Sequence, residues 1–261
     1  MFLLRAGADD VPVLYLHGVP TSADDWRPFL EQGGGIALDL PGFGRSGKRG
    51  DGDFTVEGWA RWIPRALDAI GVDRVRLCVH DWGAAGLLWA AREPHRVERV
   101  AVVNGAPLVG GLELPRLGRM LALPGIGEMG VGLATPWVLR RALRKGIAEG
   151  AEPPRRWFDD VGARFDQGSQ RALLRLLRAA TPEAREEAGL ALRGLDVPAL
   201  VAWGERDPWF GPRYGHAYAA VLPQSELVEL PDAGHWPWLE EPSLVGRILG
   251  FLRPGRVDTE E

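Results

Sequence analysis

At 261 residues, 46% hydrophobic and 25% charged, the chain suffices for one large domain or two small ones around a substantial core. A net charge of −4 and the lack of any apolar run of membrane-spanning length give no sign of a nucleic-acid or membrane partner. The single cysteine, Cys78, rules out an internal disulfide and fits a cytoplasmic location, and the apolar opening Met1 to Arg5 is too short for a signal sequence.

Residues 11–16 read as a buried strand ending in His17-Gly18-Val19-Pro20. Thr21, Ser22 and Asp24 can cap a short helix bearing Trp26, Phe29 and Leu30. Gly33-Gly34-Gly35 is a turn, residues 36–39 form the next strand, and residues 40–47 form a glycine-rich loop. Residues 55–70 carry helical apolar spacing (Val56, Trp59, Ile63, Leu67, Ile70), closed by Gly71. Residues 75–79 are strand, His80-Asp81-Trp82-Gly83 is a tight turn, and a helix runs to about Arg92. Residues 97–104 are another buried strand.

The rhythm then breaks. From 108 to 192 there is no strand-like run, only glycine- and proline-punctuated helical segments, among them 135–145, 155–165, 169–180 and 182–192. Residues 197–203 restore a strand, followed by Gly204-Glu205-Arg206-Asp207-Pro208. A helix (214–221), a strand (227–230), the loop Pro231 to His235 and a last helix (243–252) follow, and the tail from Pro254 is expected to fray. Alternating strands and helices imply an α/β fold, a mostly parallel central sheet with helices on both faces. Residues 1–107 and 193–261 form its core, and 108–192 are an inserted helical lid above the carboxyl edge.

Three loops at strand ends carry the chemistry: His17-Gly18-Val19-Pro20, the elbow His80-Asp81-Trp82-Gly83, and the pair Asp207 with Gly234-His235. Each alone is weak, but their order of nucleophile, acid, histidine resembles the α/β-hydrolase fold across nearly the whole chain. In the serine version of the elbow the apex is G-x-S-x-G; here the apex is Asp81. A serine needs a base before it attacks an acyl carbon. An ordinary aspartate is ionised at neutral pH and can displace a leaving group from saturated carbon directly, leaving an alkyl ester. His235, oriented by Asp207, would then activate water against that ester, with the N–H groups of Val19 and Trp82 as the oxyanion hole. Of the other histidines, His17 reads as a loop hydrogen-bonder, His80 points away from the apex side, and His95 and His216 are surface. Asn104 stands where some relatives carry the acid, so Asp207 takes that role, with Glu205 the weaker alternative.

Within aspartate-elbow families the chain resembles haloalkane dehalogenases and epoxide hydrolases. The second family implies two lid tyrosines, but Tyr15, Tyr214 and Tyr218 all lie outside the lid segment and Leu177 stands where a tyrosine belongs. The first implies indole N–H donors for a departing halide: Trp82 and a lid tryptophan, Trp137 or Trp157, with Trp236 and Leu177 lining an apolar pocket. Val19 replaces the asparagine that one dehalogenase subgroup carries after His-Gly. The lid arginines Arg140, Arg141, Arg144, Arg155, Arg156, Arg171, Arg175 and Arg178 have acidic neighbours and read as a solvated face. The resemblance implies no metal and no cofactor; the partners are a small apolar organic substrate and water. The expectation is a hydrolase acting on a haloalkane, ahead of an epoxide. An esterase or lactonase, and a non-hydrolytic binding protein that kept the elbow, stay open as alternatives.

Overall fold

Strands that are apolar on both faces must be covered on both faces, and the chain meets that demand with helices between successive strands. The computed structural model describes residues 1–109, 111 and 114–254; most of the tail expected to fray, 255–261, lies outside the described residues. Strands β2 (Val13–Leu16), β3 (Gly35–Asp39), β4 (Val75–Asp81), β5 (Val97–Gly105) and β6 (Pro198–Gly204) are buried along almost their full length. With β1 (Phe2–Ala6) and β7 (Gln224–Leu230) they make one seven-stranded sheet in the order β1-β3-β2-β4-β5-β6-β7. All pairings are parallel except β1 with β3, which runs from Phe2 opposite Asp39 to Ala6 opposite Gly35. The short segment ahead of the His-Gly strand is thus a single antiparallel edge strand. At the opposite edge β7 buries only Val228 and Leu230, as an edge strand with one wet face should.

Helices α1 (Arg27–Gly33) and α11 (Ser243–Leu252) pack together, as do α2 (Val56–Ala69) and α3 (Ala85–Arg92), while α10 (Arg213–Val221) lies on β6 and β7. The cap of α2 is the expected one, Thr55 Oγ1 accepting from Gly58 N–H at 2.8 Å. Gly71, with φ 69°, ends it by donating to the Asp68 carbonyl. Two elements differ from the sequence expectation. Trp26 belongs to a 3-10 turn, Ala23–Trp26, that precedes α1, because Ser22 caps Asp24 and Pro28 then opens the regular helix. The elbow likewise enters α3 through a 3-10 turn, Trp82–Ala84.

Between β5 and β6 the described residues form six helices and no strand: α4 (Arg116–Ala122), α5 (Ile126–Gly132), α6 (Pro136–Arg144), α7 (Arg155–Arg164), α8 (Gln167–Ala179) and α9 (Pro182–Leu192). The last four match the segments expected from apolar spacing. The two of seven residues, α4 and α5, have too few turns for periodicity to single them out. Helices α4 and α5 pack on each other and on α8, α6 packs on α7, and α9 packs on α3.

Asp39, at the end of β3 and fully buried, ties the first two loops together. Its Oδ1 accepts from Ala23 N–H at 2.7 Å and its Oδ2 from Arg45 N–H at 2.6 Å and Nε at 3.2 Å. Removing that carboxylate strands two backbone donors and a guanidinium. We expect Asp39→Ala to lower the unfolding free energy by about 3 kcal/mol, read as a reduced urea midpoint with unchanged slope.

Candidate active site

The carboxyl ends of β2, β4, β5, β6 and β7 converge, and each delivers one polar group. Asp81 ends β4 with φ 48° and ψ −130°, a conformation L side chains rarely adopt, and its carbonyl is held by Ala106 N–H at 2.8 Å. That turn lifts the carboxylate off the sheet toward the β2 loop. Val19 N–H donates to Asp81 Oδ2 at 2.8 Å, and Trp82 N–H also supports the carboxylate. Gly18 is required here: a Cβ at that position would overlap the Asp81 carboxylate.

His235 faces this group from the loop after β7. Its Nδ1 donates to Asp207 Oδ2 at 2.6 Å, with both side chains buried. Asp207 is itself fixed: Oδ1 accepts from Trp209 N–H at 2.8 Å and Phe210 N–H at 3.0 Å, and Oδ2 from Asn104 Nδ2 at 2.9 Å. Asn104, also at positive φ (39°), therefore supports Asp207 from the end of β5. The histidine loop is pinned as well. His235 N–H donates to the Gly146 carbonyl at 2.7 Å, and Glu240 accepts from Gly234 N–H and Ala148 N–H. His80 lies beneath, its Nε2 donating to the His235 carbonyl at 2.9 Å, and His17 Nε2 accepts from Leu40 N–H; both are structural, as expected. His95 and His216 are exposed.

Above Asp81 and His235 lies a cavity of about 240 Å³. Trp82, Leu177 and Trp236, which the sequence reading put at a pocket, line it together with Val19, Leu121, Leu139, Phe165, Leu173, Trp209 and Phe210. Among the described residues, Asp81 and His235 are the only titratable groups that line it. Two expectations fail. Trp137 is 70% exposed and lines a separate surface bowl, because the cavity face of α6 is the stripe Val138, Leu139, Ala142, Leu143. Trp157 is buried but outside the cavity lining, its Nε1 committed to Asp25 Oδ1 at 2.8 Å. Among the described residues no cluster of three or more metal-ligating side chains is present.

A model of the alpha/beta hydrolase family matches residues 13–247. The chain belongs to that family. A haloalkane dehalogenase of Bradyrhizobium diazoefficiens is 30% identical to this hydrolase, over 95% of its chain and 89% of the relative's own. A haloalkane dehalogenase of Mesorhizobium japonicum is 29% identical over 97% and 88%. Among solved structures, haloalkane dehalogenase DbeA from Bradyrhizobium elkani superposes with a TM-score of 0.79 at 25% identity, covering 96% of this chain and 92% of that one.

The electrostatics of the hydrolase site follow from burial. Desolvation raises the Asp81 pKa to about 7 against the opposing pull of His235 and the Val19 and Trp82 N–H groups. Asp81 is therefore only partly ionised at neutral pH, unlike the ordinary aspartate expected from sequence. Burial pushes His235 down, but the Asp207 carboxylate, by charge and hydrogen bond, outweighs it and leaves the imidazole above its usual value. Three contributors escaped the sequence reading. Trp209 is half-buried beside His235 (ring centroids 4.8 Å apart) and follows Asp207-Pro208, so the Asx-type turn at the acid was its one signal. Glu240 gave none, since its partners are the loops it joins.

The third is Asp25, buried against Trp157, with Oδ2 lacking any partner and its pKa raised by desolvation to about 7. In the unfolded chain this group ionises near its ordinary value, so between about pH 4 and pH 7 the unfolded state loses its proton while the folded state keeps it. Folding stability from this site falls across that window, by a few kcal/mol in all. Asp25→Asn keeps an acceptor for Trp157 and removes the titration. Its melting temperature relative to wild type should therefore rise from pH 5 to pH 8; a pH-independent difference would contradict the assignment.

Proposed function

We propose that this hydrolase is a haloalkane dehalogenase-like enzyme in which Asp81 attacks the halogen-bearing carbon of a small apolar substrate. The observation that carries the reading is the seating of Asp81: Oδ2 already accepts from the Val19 N–H, which leaves Oδ1 as the free nucleophile at the floor of an apolar cavity. An attack by Oδ1 forms a C–O bond as the C–X bond breaks, giving an alkyl ester and a halide ion. The ester carbonyl oxygen is then Oδ2, already facing its donors. His235 takes a proton from water, the hydroxide equivalent adds to Cγ of Asp81, and the oxyanion forms where Val19 and Trp82 N–H groups point. Collapse releases the alcohol and restores the carboxylate; the net change is R–X plus water to R–OH, halide and a proton.

A departing halide in an apolar cavity needs N–H donors. Trp82 and Trp209 line the cavity, and no hydrogen bond engages either indole among the described residues. They take the place the sequence reading gave to Trp82 with Trp137 or Trp157. An epoxide would instead need an acid. Tyr15 OH donates to the Gly34 carbonyl, Tyr218 OH to the Ala106 carbonyl, and Tyr214 OH accepts from Arg213; none of them lines the cavity. Residues 108–192 act as a lid in this reading, since residues between Leu114 and Leu177, on α4, α5, α6, α8 and the turns between them, furnish most of the cavity wall. A cavity of about 240 Å³ walled by apolar side chains suits a small apolar substrate. The buried thiol Cys78 is compatible with a cytoplasmic location.

His235→Gln should undergo the first step and stall, so incubation with a 1-bromoalkane should add the alkyl mass to the intact protein and release one equivalent of bromide. Absence of both adduct and halide release would defeat the mechanism. Trp82→Phe and Trp209→Phe should each lower kcat/KM for bromoalkanes by about 10- to 100-fold, the worth of one hydrogen bond to a charged group.

The acid limb has a stated direction. Alkylation requires the Asp81 carboxylate, so its pre-steady-state rate should fall as pH drops through about 7. Ester hydrolysis requires neutral His235 and should fall as pH drops through a value above the ordinary histidine pKa. Rapid-quench measurement of adduct formation and decay separates the two.

A further inference from the structure

The lid helices that wall the cavity also expose a concentrated apolar surface. Leu117 and Val138 line the cavity and are still 47% and 42% exposed, which marks its mouth. The same helices expose Met120 on α4, Met129 on α5, Leu133 at its C-cap (62% and 66% exposed) and Trp137 at the start of α6. On α5 and its C-cap, Ile126, Met129 and Leu133 fall at i, i+3 and i+7, all three exposed. Side chains of this size left in water on one segment of an otherwise well-buried chain call for something to cover them.

Charge names the covering partner. Next to the apolar rim lies an open bowl of about 980 Å³ in which Trp137 sits with Arg140, Arg141, Arg144, Lys145 and Arg155. Glu152 is the one carboxylate lining it, and no ion pair engages any of the five cations among the described residues. The arginines of α6 are therefore not balanced locally as their sequence neighbourhood suggests. An exposed indole between an apolar rim and a cationic bowl has the amphipathic order of a bilayer interface, apolar groups at acyl depth and cations at headgroup depth. A second copy of the chain fits poorly, because a two-fold contact through this rim would bring two such bowls toward each other.

We propose that α4, α5 and α6 dock this protein peripherally on an anionic lipid bilayer, with the cavity mouth facing the membrane. The sequence shows no membrane partner because the overall charge is −4 and, among the described residues, no helix is long and apolar enough to cross a membrane. Neither fact bears on a surface assembled from three short helices. Docking at the mouth would let an apolar substrate dissolved in the bilayer enter the cavity without crossing water. The docking itself does not depend on which bond Asp81 breaks.

The test is flotation of the full-length protein with phosphatidylcholine vesicles containing phosphatidylglycerol, and with phosphatidylcholine alone, at low and high salt. Wild type should float with the anionic vesicles and release at high salt. The pair Arg141→Ala, Arg144→Ala should weaken partitioning by at least tenfold, at about fivefold per cation removed. The pair Met129→Ser, Trp137→Ser should do the same, with melting temperatures of both variants unchanged. Three results would overturn the proposal: wild type that stays unbound, binding indifferent to both pairs, or a dimer in sedimentation that Met129→Ser, Trp137→Ser dissociates. Because the assay reads lipid and not turnover, its failure is distinct from a failure of the dehalogenase reading.

Discussion

A carboxylate held out of water beneath an apolar cavity is the constraint on which the other features depend. Burying Asp81 is costly, and the cost appears as a pKa raised to about 7. What keeps the ionised form within reach at neutral pH is a small set of fixed dipoles and one opposing charge: the Val19 and Trp82 N–H groups and His235. Each depends on a strand end. The β2 loop approaches because Gly18 lacks a Cβ, the elbow holds because Asp81 accepts a positive φ, and Asp207 raises the affinity of His235 for a proton. The sheet brings those ends to one edge, where continuous apolar strands packed on both faces hold them.

The second consequence is rigidity around the base. Asp207 accepts four hydrogen bonds, from His235, Asn104, Trp209 and Phe210, so its lone pairs are saturated and its position over-determined. His235 is gripped from below by His80, from the side by Asp207, and through its backbone by the Gly146 carbonyl. That last contact comes from the segment immediately after α6. The helical insertion is thus mechanically continuous with the base, and Glu240 reinforces the join by accepting from both Gly234 and Ala148.

Which parts were legible in the sequence follows from the range of the interactions. Asp81 ends a buried strand, Asp207 follows one, and His235 lies in the loop after the edge strand β7, so each is marked locally by an apolar run giving way to glycine. Asp25 and Glu240 could not, because their meaning lies in partners far along the chain: Trp157 for the first, Ala148 for the second. Helices α4 and α5 were invisible for a different reason. Periodicity identifies a helix by one apolar face, and these short helices turn apolar side chains both to the cavity and to solvent. Trp137 was misplaced by the same ambiguity, since a tryptophan at the start of an amphipathic helix can belong to either side.

That two-sidedness is the physical link between the site and the molecular surface. The core can be apolar inside and polar outside because it is covered on every side; a segment that walls an open cavity has no such freedom. Leu117 and Val138 touch the cavity and solvent at once, so the wall of the pocket and the rim of its mouth are one continuous apolar surface. Water wets that rim poorly, and the free energy of leaving it exposed is recovered only when something apolar covers it. The five cations of the adjoining bowl then act as a selector. They add nothing to the attraction of a neutral apolar partner and repel another copy of themselves, so the surface that best satisfies both halves is apolar in depth and anionic at its face.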